Sequence, residues 1–234
     1  MTITAIFFDL DDTLWDFRQS SRASLDMVFA HYLLDHGISK EDWLAHYALA
    51  NKELWTSYQS GVHSADEVKE LRFQRSFAQV GICLTRHAVG EVSQYYLAEI
   101  VRNTRLYPGV KQVLSELSAS YELGIISNGM AVSRDRLDAH GIGQYFRRVV
   151  TASDAGAPKP AVEIFAHAMA EARVSADRAA YVGDDYHSDV LGSKGAGMFS
   201  VWYNPEGKAA PAPVVPDRVI STFTELTEIF VSRR

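Results

Sequence analysis

Short apolar runs that end abruptly in polar residues recur along this chain, and they predict the strands of a buried β-sheet. The first run occupies residues 3–8 and is stopped by an acidic cluster. Further runs rich in β-branched and aromatic residues occupy residues 122–127, 148–152, 179–182 and 198–203. Uninterrupted apolar runs of this kind are typical of parallel strands that are covered on both faces.

Helical patterns separate these runs and lie at residues 110–118, 130–140 and 160–172. Pro108 precedes the first of them, where proline favours a helix start, and Gly141 follows the second as a C-terminal cap. Strands that alternate with helices predict an α/β fold, a Rossmann-like parallel sheet with helices on both faces. Ligands of such sheets bind beyond the C-terminal ends of the strands.

Residues 17–103 differ in character, because they show four helical patterns and no convincing strand. The helical patterns occupy residues 20–36, 40–60, 64–80 and 86–102. Ser39 and Ser64 each precede an acidic residue three positions later, which is a capping signal of helix N-termini. The sequence therefore predicts an α/β core domain of residues 1–16 and 104–234, interrupted by an inserted helical domain.

The composition limits the kinds of partner. The chain has 234 residues, a net charge of −6 and 47% hydrophobic residues. The negative balance argues against nucleic-acid polymers, because binding their backbone needs clustered Lys and Arg. The single cysteine, Cys83, is expected to be a small buried hydrophobe in a reducing compartment. No signal-peptide pattern and no apolar run of the roughly 20 residues that span a bilayer is found, so we expect a cytoplasmic protein without a membrane partner.

Two acidic clusters follow predicted strands. Asp9 and Asp11 come directly after the first strand, and Asp184, Asp185 and Asp189 come after the fourth. Burying carboxylates beside an apolar strand is costly unless a cation or strong donors compensate. Acids without cysteine, and with one neighbouring histidine, suit a hard cation such as Mg²⁺ better than zinc. The alternative is that the clusters are a solvated turn and a surface loop.

A hydroxyl and a lysine complete the set. Ser127 and Asn128, followed by glycine, end the second predicted strand and can offer donors to an anion. Lys159 is flanked by prolines that stiffen its loop near the start of a helix. Taken singly, these are an ordinary Asn-Gly turn and an ordinary exposed lysine. Because all four clusters follow strands of one sheet, they can converge into the nucleophile and positive charge that phosphoryl transfer requires.

The four motifs, in this order and with Asp-x-Asp-x-Thr at residues 9–13, resemble those of the haloacid dehalogenase superfamily over essentially the whole chain. The resemblance implies that Asp9 is a nucleophile that forms an aspartyl-phosphate. It implies that Asp11 protonates the leaving oxygen and then activates water. True dehalogenases of this superfamily lack the second acid. A leaving alcohol needs a proton and a halide does not, so the presence of Asp11 favours a phosphatase.

The resemblance also assigns the groups that would bind metal and phosphate. A Mg²⁺ ion would be held by Asp9, the backbone carbonyl of Asp11, and Asp184. The phosphoryl group would be positioned by Thr13, Ser127, Asn128 and Lys159. Of Asp185 and Asp189, one would support the metal and the other would orient Lys159, and the sequence leaves this assignment open.

The inserted block of residues 17–103 lies between the first two motifs, where this superfamily places its cap. The resemblance implies a lid that excludes water and selects the leaving group. Residues 51–61 resemble the corresponding segment of bacterial noncanonical pyrimidine nucleotidases, which dephosphorylate nucleoside monophosphates. Trp55 and Tyr58 in this segment either stack on a base or pack the core of the cap.

The predicted substrate is therefore a small phosphorylated metabolite, with a pyrimidine nucleoside monophosphate as the first candidate. A phosphatase for sugar phosphates or phosphoglycolate has the same core chemistry and differs only in its cap contacts. A catalytically silent binding protein is the alternative outside enzymes, but such a protein has no chemical need for all four motifs together. The sequence does not predict an oligomeric state.

Overall fold

The computed structural model describes residues 2–129, 134–211 and 213–231. The chain divides into two compact units, one formed by residues 1–17 and 105–234 and the other by residues 18–104. No helix within the described ranges is long and apolar enough to cross a lipid bilayer.

The unit of residues 18–104 is helical. Its elements are α1 (Phe17–Tyr32), a short 3₁₀ turn (Leu34–His36), α2 (Lys40–Gln59), α3 (Ala65–Gln79) and α4 (Arg86–Asn103). The Ser39 and Ser64 hydroxyls cap α2 and α3, as the sequence predicts, by accepting the N–H three residues further on. The core of this unit is largely aromatic and contains Trp43, Tyr47, Phe73, Phe77 and Tyr96.

The other unit contains a six-stranded parallel sheet. Its strands are β1 (Ala5–Phe8), β2 (Glu122–Ser127), β3 (Phe146–Thr151), β4 (Ala179–Gly183), β5 (Phe199–Tyr203) and β6 (Arg218–Ile220). The order across the sheet is β3-β2-β1-β4-β5-β6, which places β1 in the middle. The five predicted strands are confirmed. The sequence missed β6, because it has three residues and two of them are exposed.

Helices cover both faces of this sheet. They are α5 (Val110–Ser118), α6 (Arg134–Ala139), α7 (Ala152–Ala155), α8 (Val162–Ala172), a π-helical turn (Tyr186–Leu191), α9 (Gly192–Gly195) and α10 (Glu225–Phe230). Leu114 of α5 belongs to the same buried cluster as Phe8 of β1. Tyr181 of β4 faces the opposite side of the sheet, where its ring meets Phe165 of α8. The predicted α/β architecture is confirmed.

Two expectations need comment. Residues 130–133 of the helix predicted at residues 130–140 lie outside the described residues, and α6 is the described part of that segment. The prediction that Cys83 is buried is wrong, because its side chain is exposed. Cys83 lies in the link between α3 and α4, just after Gly81, where the chain turns at the surface.

Candidate active site

The predicted site residues of the sheet unit lie at one edge of the sheet. In the parallel register, Phe8 of β1 pairs with Ile125 of β2 and with Val182 of β4. The residues that follow these positions therefore meet beyond the carboxyl ends of the three strands. The Asp9 N–H donates to the Val182 carbonyl at 2.9 Å, which fixes Asp9 beside the end of β4.

Lys159 is the centre of this group. Only 3% of the residue is exposed, and its ammonium donates to Asp9 Oδ1 at 2.5 Å, Asp189 Oδ1 at 2.7 Å and Tyr181 Oη at 2.8 Å. Burial by itself lowers the pKa of Lys159, but the charges of Asp189 and Asp9 outweigh that effect and raise it. Lys159 is therefore a buried cation at neutral pH.

The two later acids differ in their contact with Lys159, whereas support of a metal by either of them stays a prediction. Asp189 contacts the Lys159 ammonium, and its other oxygen accepts the backbone N–H of Asp185 at 2.9 Å. The Asp185 carboxylate instead accepts the N–H of Ser188 at 2.6 Å and caps the π-helical turn. Gly183 makes room for this arrangement, because a Cβ there would lie 2.3 Å from the Asp189 carboxylate.

Asn128 and Ser127 differ in what they can offer a phosphoryl group. The Asn128 amide donates to the Lys159 carbonyl at 2.9 Å and accepts the Lys159 N–H at 2.8 Å. The side chain thus fixes the lysine loop with one of its two amide protons. Contact between Asn128 and a phosphoryl group stays a prediction. The Ser127 hydroxyl is buried and accepts the Gly129 N–H at 2.9 Å. Its own proton can still be donated to an anion.

The first and fourth motifs share a cluster of carboxylate oxygens. Among the described residues, Asp9, Asp184 and Asp189 each offer one oxygen, and these oxygens lie within 4.8 Å of one another. Thr13 is buried between two of them, with its hydroxyl 3.3 Å from Asp9 Oδ2 and 3.3 Å from Asp184 Oδ1. The two acidic clusters therefore converge, as the sequence predicts for residues that share a cation.

The charges of this cluster fit a divalent cation. Burial raises the pKa of Asp9, and burial followed by the neighbouring charges of Asp9 and Asp189 raises the pKa of Asp184 to about 8. A cation would favour the ionised form of both groups. The donors are oxygens only, which is the set that Mg²⁺ prefers. Both oxygens of Asp189 already accept hydrogen bonds, from Lys159 and from the Asp185 N–H, whereas only one oxygen of Asp9 accepts from Lys159. Asp9 and Asp184 are therefore the carboxylates best placed to hold the ion.

Asp11 is held apart from that cluster by two residues of the same unit. Its Oδ1 accepts the indole N–H of Trp15 at 2.7 Å and lies 3.5 Å from a guanidinium nitrogen of Arg136. Arg136 is buried and stacks over the Trp15 ring at 4.0 Å. A metal contact through the backbone carbonyl of Asp11 stays a prediction.

Sequence reasoning missed several residues that touch the site, namely Tyr181, Trp202, Trp15 and Arg136. Trp202 donates its indole N–H to the Asp184 backbone carbonyl at 2.9 Å. A signal existed for Tyr181, because a tyrosine inside a fully buried strand must find a partner for its hydroxyl. The same signal existed for the indole N–H of Trp202 in the predicted strand of residues 198–203, whereas Trp15 lies outside every predicted strand.

Trp55 and Tyr58 lie on α2 in the helical unit. Their rings meet edge to face with centroids 5.6 Å apart, and both side chains are half-buried. Neither residue is among the fully buried residues of the core, and their contact with each other is compatible with both alternatives that the sequence left open. Contact with a substrate base stays a prediction.

Comparison with known proteins places this arrangement in a family. The family model of haloacid dehalogenase-like hydrolases matches residues 3–197. The pyrimidine 5'-nucleotidase YjjG of Escherichia coli (strain K12) is 28% identical over 226 residues, which cover 96% of each chain. A glyceraldehyde 3-phosphate phosphatase of Pyrococcus abyssi is 30% identical over 207 residues, which cover 86% of this chain and 81% of the relative.

Solved structures share the whole fold. The HAD-hydrolase YfnB from Bacillus subtilis, in a form bound to magnesium, is 26% identical, covers 98% of this chain and 99% of its own, and has a TM-score of 0.83. A 2-haloacid dehalogenase from Pseudomonas syringae is 28% identical, covers 100% of both chains and has a TM-score of 0.78. The family model spans most of the chain and includes all four motifs, and the chain therefore belongs to the haloacid dehalogenase-like hydrolase family.

Proposed function

We propose that this protein is a Mg²⁺-dependent phosphomonoester hydrolase that works through an aspartyl-phosphate on Asp9. The observation that carries the proposal is the position of Asp9. One of its oxygens contacts the buried Lys159 ammonium, and the other lies beside the Thr13 hydroxyl. A carboxylate nucleophile next to a buried cation, a hydroxyl and a cation-binding carboxylate suits a phosphoryl group.

The reaction has two steps that differ in the role of Asp11. In the first, an Asp9 oxygen attacks phosphorus while the ester P–O bond breaks, and Asp11 gives its proton to the leaving oxygen. In the second, Asp11 takes a proton from water, which attacks phosphorus and breaks the bond to Asp9. Lys159, Thr13 and Ser127 hold the phosphoryl oxygens during both steps. When bound at Asp9 and Asp184, Mg²⁺ supplies positive charge against the same oxygens.

Asp11 also separates this proposal from dehalogenase chemistry. A halide leaves as a stable anion, whereas the alcohol of a phosphate ester needs a proton from a group near the bond that breaks. The Trp15 indole and the Arg136 guanidinium hold the Asp11 carboxylate in one orientation, which is useful to a proton donor.

A pyrimidine nucleoside monophosphate is the first substrate that we propose, with a sugar phosphate or phosphoglycolate as the alternative. YjjG supports the first and the Pyrococcus abyssi phosphatase the second. The half-buried Trp55 and Tyr58 rings favour a substrate with a flat base. We assign the role of the cap to the unit of residues 18–104. We also propose that the enzyme works in the cytoplasm.

The test is hydrolysis of p-nitrophenyl phosphate by the purified protein with Mg²⁺ and with EDTA. We expect turnover only with the metal, and Asp9→Asn should lower kcat by at least about a thousandfold. Asp177→Asn is the matched control, because Asp177 is exposed just before β4, at the opposite end of that strand from the site, and it should keep kcat within about twofold.

A substrate panel then tests the leaving group. Uridine and thymidine monophosphates, glyceraldehyde 3-phosphate, phosphoglycolate and 2-chloropropionate cover the named alternatives. Equal kcat/KM for nucleotides and sugar phosphates would remove the nucleotidase proposal and leave the phosphatase intact. Chloride release without hydrolysis of any phosphate ester would overturn the phosphatase itself.

A further inference from the structure

Among the described contacts of the Lys159 side chain, the Tyr181 hydroxyl is an uncharged one. An ammonium group has three protons, and Lys159 directs them to Asp9 Oδ1, Asp189 Oδ1 and Tyr181 Oη. The three acceptors are all buried. Two of them are carboxylates that pull the ammonium by charge, and the third is a neutral hydroxyl on a central strand.

The position of this hydroxyl is fixed from several sides. While Oη accepts from Lys159 at 2.8 Å, its own proton can go to Asp189 Oδ1 or to the Ile126 carbonyl, each 3.1 Å away. The ring lies edge-on to Phe165 with centroids 5.2 Å apart. Tyr181 thus links β4 to β2 and to the lysine loop. Moving its hydroxyl would disturb a closely packed core, which costs free energy.

Packing alone does not explain a tyrosine here. The other residues of β4 are Ala179, Ala180, Val182 and Gly183, and all are buried. A phenylalanine would fill the same space without a hydroxyl that must be taken out of water and paired. The hydroxyl is therefore a feature of the site and not of the hydrophobic core.

We infer that Tyr181 is a positioning residue that aims the Lys159 ammonium at the phosphoryl group during transfer, an inference that rests on the proposed function. Once Asp9 carries the phosphoryl group, it no longer offers Lys159 a full carboxylate charge. The ammonium then keeps Asp189 and Tyr181, and these two contacts point its third proton toward the phosphoryl oxygens. Without the hydroxyl, Asp189 alone would draw the ammonium toward itself.

The test is Tyr181→Phe, with kcat and KM for p-nitrophenyl phosphate and calorimetric affinity for inorganic phosphate, both in the presence of Mg²⁺. Hydrogen bonds to charged groups imply a fall in kcat/KM of about tenfold to a hundredfold. Because the contact matters most in the transition state, kcat should carry the loss and KM should change by less than about threefold. Phosphate affinity should fall in the same variant by a smaller factor than kcat, because inorganic phosphate meets the same ammonium in a ground state.

Tyr121→Phe is the matched control. Tyr121 lies just before β2, at the opposite end of the strand from the site, and its hydroxyl donates to the Phe230 carbonyl at 2.6 Å. The same chemical change there should lower the melting temperature and leave kcat within about twofold.

The outcomes separate this inference from the proposed function. If the wild type hydrolyses the ester and Tyr181→Phe keeps its kcat, the inference is wrong and the phosphatase stands. If the wild type binds phosphate but hydrolyses no ester, the proposed function is wrong, and weaker phosphate binding by Tyr181→Phe still supports the positioning role. Unchanged binding would then overturn it, and a wild type that neither binds phosphate nor hydrolyses esters would overturn both.

Discussion

Lys159 in the sheet unit and Arg72 in the helical unit are both buried cations, and their surroundings are opposite. Lys159 in the sheet unit is 3% exposed and contacts the carboxylates of Asp9 and Asp189. Arg72 in the helical unit is 5% exposed and lies over the rings of Tyr96 at 4.8 Å and Phe73 at 5.3 Å. Its hydrogen-bond acceptors are neutral, the Lys69 carbonyl and the Asn51 amide oxygen.

The difference shows that burial of a charge does not by itself mark a site. Around Lys159, more negative than positive charge is gathered at one place, and such a cluster can accept a metal cation and then an anionic substrate. Around Arg72, two aromatic rings, a backbone carbonyl and an amide offset the cost of removing one cation from water. They leave no excess charge that would bind a ligand. The partners of a buried charge therefore tell more about function than its burial.

Replacing the lysine should have the largest effect. Lys159→Met keeps most of the side-chain volume but leaves Asp9 and Asp189 facing each other without a cation. We expect kcat/KM to fall by at least about a thousandfold, and the free energy of unfolding without Mg²⁺ to fall by about 3–5 kcal/mol at neutral pH. Steady-state kinetics and urea unfolding measure the two effects. A variant with near wild-type kcat/KM would contradict the conclusion that the carboxylate partners of Lys159 mark it as part of a functional site.

The second prediction concerns pH and the metal. Because the pKa of Asp184 is about 8 in the folded protein and 3.8 ordinarily, the folded state binds more protons than the unfolded state between these values. The free energy of unfolding of the metal-free protein should therefore fall as pH rises, and Asp184 alone contributes at most about 1.4 kcal/mol per pH unit to this fall. Mg²⁺ takes the place of the proton, so its stabilising effect should grow with pH.

Thermal unfolding with EDTA and with Mg²⁺, at about pH 5.5 and about pH 8, measures this dependence. The increase in melting temperature caused by Mg²⁺ should be larger at the higher pH. In Asp184→Asn the increase and its pH dependence should both shrink. An equal increase at the two pH values in the wild type would mean that the ion does not bind at this cluster.

The third prediction sharpens the role of Asp11. Trp15→Phe removes the indole N–H that Asp11 accepts at 2.7 Å, and it should lower kcat for an alkyl phosphate by about tenfold. The loss should be smaller for p-nitrophenyl phosphate, because nitrophenolate leaves without a proton. The ratio of the two kcat values is the measurement, since a general loss of stability would lower both equally. Equal losses would contradict a role of Trp15 in proton transfer.

The sheet and the convergence of its motifs were predictable because they depend on local patterns. Apolar runs specify parallel strands, and parallel strands bring their carboxyl ends to one edge. The same reasoning predicts that Asp9, Asp184 and Lys159 lie close together. It failed for Cys83, since a hydrophobic residue in a turn is not buried by its chemistry alone.

Side-chain pairing could not be predicted in the same way. The sequence left open whether Asp185 or Asp189 meets Lys159, because both follow the same strand and the choice depends on the π-helical turn of residues 186–191. It also did not predict that the Asn128 amide bonds both backbone groups of Lys159, which lies 31 positions further along the chain. Such contacts depend on three-dimensional packing between distant segments.

The smallest expected effect belongs to the arginine of the helical unit. Arg72→Met removes a buried charge, and the methionine side chain fills much of the space of the arginine. The described hydrogen bonds and ion pairs of Arg72 include no carboxylate. The lost ring and hydrogen-bond contacts are offset by the lower cost of burying methionine, so the free energy of unfolding should fall by no more than about 1 kcal/mol. Because Arg72 has no place in the proposed reaction, kcat/KM for p-nitrophenyl phosphate should change by less than about threefold. Urea unfolding and steady-state kinetics on the same preparation separate the two quantities. A large fall in kcat/KM with little change in the free energy of unfolding would mean that Arg72 acts on the substrate. A buried cation with neutral partners could then also belong to a functional site, and the comparison with Lys159 would fail.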